Sequence, residues 1–165
     1  MSELQVLQGI RLKGRVGLDD LAATLGAEPQ TVAPVVDALS GAGLLVAGRT
    51  LRITPEGRTR LDQLLAEERS GADVQTVRNA YRNFRAVNAE FKALVSDWQV
   101  KDGSPNAHDD RDYDTAVLTR LERVHELTLP ILAEVATQIP RLAHYGERLT
   151  AALQKVRSGD AAWLT

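Results

Sequence analysis

Two groups of side chains in this 165-residue chain carry enough charge at close spacing to act on something outside it. The first is cationic. Arg11, Lys13 and Arg15 alternate over a short stretch, and Arg49 and Arg52 stand close together farther along. Cations gathered in this way could face phosphates, since released counterions supply most of the sequence-independent affinity for a duplex, or they answer a helix C-terminus and keep the surface solvated. The second group is His108, Asp109, Asp110, Asp112 and Asp114. Carboxylates can hold magnesium or calcium, but this spacing fits no calcium loop. Asp112 and Asp114 read more simply as acids in the first turn of a helix, where the dipole favours them, so no metal site is expected.

Other catalytic chemistry finds little support in the residue types. The chain has no cysteine, which removes disulfides, thiolate nucleophiles and cysteine-ligated zinc. His125 and His144 fall inside helical patterns and lack a Ser or Asp partner at a telling spacing. No phosphate-binding glycine loop or nucleophile motif occurs, since Gly41 to Gly43 read as a helix terminus. The expectation is a non-enzymatic protein without a cofactor. Its 44% hydrophobic residues suffice for a core in each of one or two small domains, and the formal net charge is -2. Neither a signal-peptide pattern nor a long apolar run is present, so the expected compartment is the cytoplasm.

The elements that would position the cations are legible from Leu4 onward. Leu4, Val6, Leu7 and Ile10 predict a first helix ending near Lys13-Gly14, and a second runs from Leu18 to Leu25 before Gly26. A third opens at Glu28-Pro29, turns Val32, Val35, Val36 and Leu39 inward and ends at Gly41 to Gly43. From Leu44 to Arg58 the chain reads LLVAGRTLRITPEGR: an apolar strand, a turn at Gly48-Arg49 and a strand of Leu51, Arg52 and Ile53. A helix then opens with Thr54 as cap and Pro55 in its first position. Helix, turn, helix and a two-stranded wing describe a winged helix-turn-helix.

These residues, VGLDDLAATLGAEPQTVAPVVDALSGAGLLV from Val16 to Val46 and LRITPEGRTRL from Leu51 to Leu61, resemble bacterial winged helix-turn-helix transcriptional regulators of the MarR and PadR type. The resemblance covers about the first 70 residues and implies a DNA-binding domain over residues 1–71. It implies that the third helix enters the major groove through Gln30 and Thr31. Arg49 and Arg52 on the wing, with Lys13 and Arg15, would then hold backbone or minor groove. Two features depart from that pattern. The third helix has no Lys or Arg, and residues 1–71 hold eight cationic against nine acidic residues. The alternative is a winged-helix protein-interaction module, an accessory domain of a larger protein, that docks a partner around Ala33, Pro34 and Ala38 and binds no DNA.

Residues 72–165 read as an all-helical domain for dimerisation, or for holding an effector or partner. Val74, Val77, Tyr81, Phe84, Val87, Phe91, Leu94 and Trp98 recur at steps of three and four. The helix they predict would be roughly 40 Å long at about 1.5 Å per residue, which invites a second copy and a homodimer. After the polar loop KDGSPNAHDDR, Val117 to Ile139 predict a second helix that Pro130 kinks or divides. Pro140 then begins a last helix ending at Ser158-Gly159. Tyr81, Trp98 and Tyr145 are the candidate effector-binding residues, with Phe84 and Phe91 beside them. Trp163 and Leu164 leave an apolar tail in need of cover. The expected whole is mostly α: a small-winged head, an all-helical region with one long helix, and a cytoplasmic, dimeric transcriptional regulator.

Overall fold

The computed structural model describes residues 1–159. The sequence reading of Trp163 and Leu164 therefore lies outside the described residues. The described chain is mostly helical, with two small two-stranded sheets, and it divides into two compact units, Met1–Gly71 and the residues from Ala72 on.

The first unit contains α1 (Glu3–Lys13), α2 (Leu18–Leu25), α3 (Pro29–Gly41), β1 (Leu45–Val46), β2 (Arg52–Ile53) and α4 (Pro55–Ser70). The starts of α1, α3 and α4 have local causes. Ser2 and Gln5 form a reciprocal capping box at α1, and the Thr54 hydroxyl accepts from the Gly57 N–H at α4. Pro29 and Pro55 open α3 and α4 at positions where an N–H would have no partner. Leu7, Ile10, Leu21 and Val32 are wholly buried between the first three helices, and Leu45, Leu51 and Leu61 close the core from the hairpin and α4. Only glycine fits at position 57, because a Cβ there would overlap the Leu44 carbonyl oxygen. The start of α4 is thereby held tight against the hairpin.

The second unit contains α5 (Val74–Gln99), β3 (Val100–Lys101), β4 (Ser104–Pro105), α6 (Arg111–Ala136), a 3-10 turn (Pro140–Leu142) and α7 (His144–Arg157). Asp73 and Asp110 cap α5 and α6 with their carboxylates. Leu94, Trp98, Val117, Leu121, Val124 and Val156 form the core that joins the three helices.

The predicted pattern and the structure differ here in three places. The polar loop holds a hairpin, β3 with β4, turned by Asp102 and Gly103 at φ 53° and 77°. Two consecutive positive φ values match the two-residue turn that joins antiparallel strands. Pro130 does not divide α6, which runs continuously to Ala136. The proline removes the bond to the Glu126 carbonyl, and both residues are exposed, so water can serve that oxygen. Pro140 opens only the 3-10 turn, and the last α-helix starts at His144. The long apolar stripe of α5 is likewise divided in its burial: Leu94 and Trp98 are core, whereas Val74 and Tyr81 are 61% and 62% exposed.

Candidate nucleic-acid interface

A single backbone pairing in the first unit sets two of its cations opposite one another. α1 ends at Lys13, Gly14 turns the chain at φ 76°, and Val16 then pairs antiparallel with Leu51. The Val16 N–H donates to the Leu51 carbonyl at 3.3 Å, and the Leu51 N–H donates back at 2.8 Å. Val16 and Leu51 are both buried, so the alternation of an extended chain turns their neighbours Arg15 and Arg52 outward, opposite one another. The first turn of α4 adds Arg58, whose N–H donates to the Thr54 carbonyl. The last turn of α1 adds Arg11.

Arg11, Gly14, Arg15, Arg52, Ile53 and Arg58 together line a hollow of about 320 Å³. No carboxylate lines it. Among the described residues none of its four arginines forms an ion pair, although Arg60, two residues past Arg58, is held by Glu3 in a bidentate pair at 3.0 and 3.1 Å. That contact holds the Arg60 guanidinium above its ordinary pKa, first through the hydrogen bond to Glu3 and then through its charge. Like charges placed directly across two strands repel, and the lining of the hollow offers Arg15 and Arg52 no carboxylate to offset that repulsion. Guanidinium forks match phosphate oxygens in geometry as well as in charge.

The other sequence-predicted residues fall around this hollow or away from it. Lys13 is exposed at the end of α1 and Arg49 is exposed between β1 and β2; neither lines the hollow. Gln30 and Thr31 are exposed in the first turn of α3, outside the hollow. Pro34 and Asp37 are exposed on the same helix, and Pro34 has no N–H to offer the Gln30 carbonyl. Arg58 joins Arg15 from a distant part of the sequence, a proximity that only the Val16–Leu51 pairing reveals.

In the second unit a cavity of about 450 Å³ opens between α5, α6 and α7. Tyr145 lines it, as do Phe84 and Phe91, but Tyr81 and Trp98 do not. Trp98 is instead a core residue, 8% exposed, with its ring centroid 4.4 Å from that of His108. His125 and Arg148 line the cavity and were not among the residues predicted to do so; one sits in a helical pattern without a sequence partner and the other reads as a surface cation.

The acidic cluster resolves into local structure. Asp110 caps α6 by accepting from the Tyr113 N–H and pairs with Lys101 at 2.7 Å. Asp114 accepts from Asn106 and lies 3.0 Å from His108 Nδ1. Among the described residues no group of three or more His, Asp or Glu is placed to hold a metal ion. None of the described helices is long and apolar enough to cross a membrane. No family model, curated protein or solved structure matches the chain.

Proposed function

We propose that Met1–Gly71 is a winged helix-turn-helix domain that binds double-stranded DNA, and that the chain acts as a dimeric transcriptional regulator. The observation that carries this reading is the hollow of Arg11, Arg15, Arg52 and Arg58, four exposed cations without a carboxylate partner among the described residues. The order α1, α2, α3, hairpin, α4, with Val16 pairing on the hairpin, supports the same reading. In the proposed complex α3 offers Gln30 and Thr31 to base edges, with glutamine suited to adenine and threonine to a phosphate or a thymine methyl. Because α3 has no cation, the backbone affinity comes from the hollow, with Lys13 and Arg49 beside it.

A second copy would double that modest footprint. Val74 and Tyr81, exposed and seven residues apart on one side of α5, support self-association through the second unit. Pro34, Asp37 and Ala38, exposed on α3, favour a different reading of the first unit, in which it docks a protein.

Fluorescence anisotropy with a random-sequence duplex at about 50 mM salt, where the electrostatic contribution is strong, separates the two. The DNA reading predicts saturable binding by the intact chain, with light scattering reporting two chains. Absence of duplex binding at that salt overturns it and leaves the protein-docking reading.

A further inference from the structure

The arginine hollow of the first unit gathers more positive charge than a strand of duplex can answer in the same space. Arg11 comes from the last turn of α1, Arg15 from beyond the turn at Gly14, Arg52 from β2 and Arg58 from the start of α4. Four stretches of chain thus border one concavity of about 320 Å³. A duplex strand brings one charge per about 3.4 Å of its axis, set in a row of phosphodiesters, so a hollow of this size meets about one or two of them. The remaining guanidinium groups would face one another without an anion between them.

The lining itself narrows the chemistry of an occupant. No Asp or Glu is part of it, which leaves a cation nothing to pair with. Half-buried Ile53 adds an apolar wall, and such a wall beside charges of one sign concentrates their field. The Gly14 N–H is spent on the Ile10 carbonyl at 2.9 Å and the Arg15 N–H on the Lys13 carbonyl at 2.9 Å. Recognition therefore falls to the guanidinium forks, which pair with phosphate oxygens two at a time.

We propose that the hollow binds the di- or triphosphate group of a small molecule. A terminal phosphate carries about −1.5 to −2 at neutral pH, so linked phosphates bring about three or four negative charges into a space that four arginines border. A single inorganic phosphate leaves about half of that positive charge unanswered. Bound there, a polyphosphate occupies the arginines that the proposed complex gives to the DNA backbone, and the two exclude one another. That exclusion rests on the DNA reading, whereas the site itself does not.

The test is calorimetric titration of the intact chain with tripolyphosphate and with inorganic phosphate. It is made in metal-free buffer at about 150 mM salt, where attraction between exposed charges is screened beyond about 8 Å. Tripolyphosphate is expected to saturate at one molecule per chain and to bind at least about tenfold more tightly than inorganic phosphate. Arg58→Gln should weaken it about tenfold, and Arg60→Gln, whose guanidinium already answers Glu3, should leave it unchanged, with the same circular dichroism in both. In anisotropy titrations at about 50 mM salt, tripolyphosphate should displace the duplex. Non-saturating binding, equal affinity for the two anions, or equal loss in the two variants would overturn the proposal, and duplex binding that persists would leave the DNA reading standing. A duplex that stays bound at saturating tripolyphosphate would overturn the exclusion. Saturating tripolyphosphate binding by a chain that binds no duplex would support the site and overturn the DNA reading alone.

Discussion

The loop between α5 and α6 and the arginine hollow of the first unit are both dense in polar side chains, and they dispose of them in opposite ways. In the loop, Lys101 pairs with Asp110, His108 with Asp114, and Asn106 donates to both Asp114 and the Trp98 carbonyl. Together these pairings tie the end of α5, β3, the residues that follow β4 and the start of α6 to one another. In the hollow, Arg11, Arg15, Arg52 and Arg58 share a surface without an acid among them. Charges that answer one another locally hold a loop in place, whereas like charges that two strands force together leave a surface that an anion would stabilise. This difference, more than the overall charge of -2, supports assigning the hollow to binding and the acidic loop to structure.

The largest expected effects remove the supports on which each region rests. Gly57→Ala drives a methyl into the Leu44 carbonyl and should destabilise the first unit by about 3 kcal/mol. Leu94→Ala empties a fully buried site in the second and should cost about 2–5 kcal/mol. Urea unfolding followed by circular dichroism measures both. A Gly57→Ala chain of unchanged stability would contradict the close seating of α4 on the hairpin.

A smaller effect should appear in acid. The carboxyl pKa of Asp110 is held down first by its hydrogen bond from Lys101 and then by the Tyr113 N–H. That of Asp73 is held down first by the Thr76 hydroxyl and then by backbone N–H groups. A lowered carboxyl pKa gives stability that is present above the unfolded value and is lost as the pH falls through the folded one. The second unit should therefore weaken below about pH 4. In Asp73→Asn with Asp110→Asn the urea midpoint should fall less between pH 6 and pH 3 than in the parent. An identical fall would remove these caps from the acid response.

The finest contrast lies between two arginines of the first unit, Arg52, which is exposed, and Arg60, which is half-buried. Arg52→Ala should weaken duplex binding and lower the salt slope by about 1, as expected for one lost phosphate contact. Arg60→Ala, whose guanidinium already answers Glu3, should change that slope little. Equal effects in anisotropy titrations would mean that the hollow is no different from the rest of the surface.

Much of this arrangement is legible in the residues themselves, and the exceptions share a cause. Leu7, Ile10, Leu21 and Val32 repeat at helical spacing because one face of each helix is buried, and Gly14 and Gly26 stop α1 and α2 where the periodicity ends. Thr54-Pro55 announces α4 for the same local reasons that the structure displays. The hairpin of β3 and β4 is harder to see, since two residues on each side of Asp102-Gly103, Val100-Lys101 and Ser104-Pro105, are too few to show an alternation. The turn pair was the available signal. Pro130 reads as a breaker because sequence shows the bond it removes and not the exposure that makes the loss tolerable. Arg58 and Arg148 are surface cations on any helical pattern. Only the folded chain places one beside Arg15 and the other at the mouth of an apolar cavity.

The claim on which the account turns is that the paired strands at Val16 and Leu51 present Arg15 and Arg52 to phosphate. Its most direct test is the slope of log K against log salt for duplex binding by the intact chain and by Arg15→Ala with Arg52→Ala. The account predicts that the double replacement makes the slope shallower by about 2 for each chain engaged, with circular dichroism unchanged. The same slope in both proteins, or no duplex binding by the parent at about 50 mM salt, would contradict it.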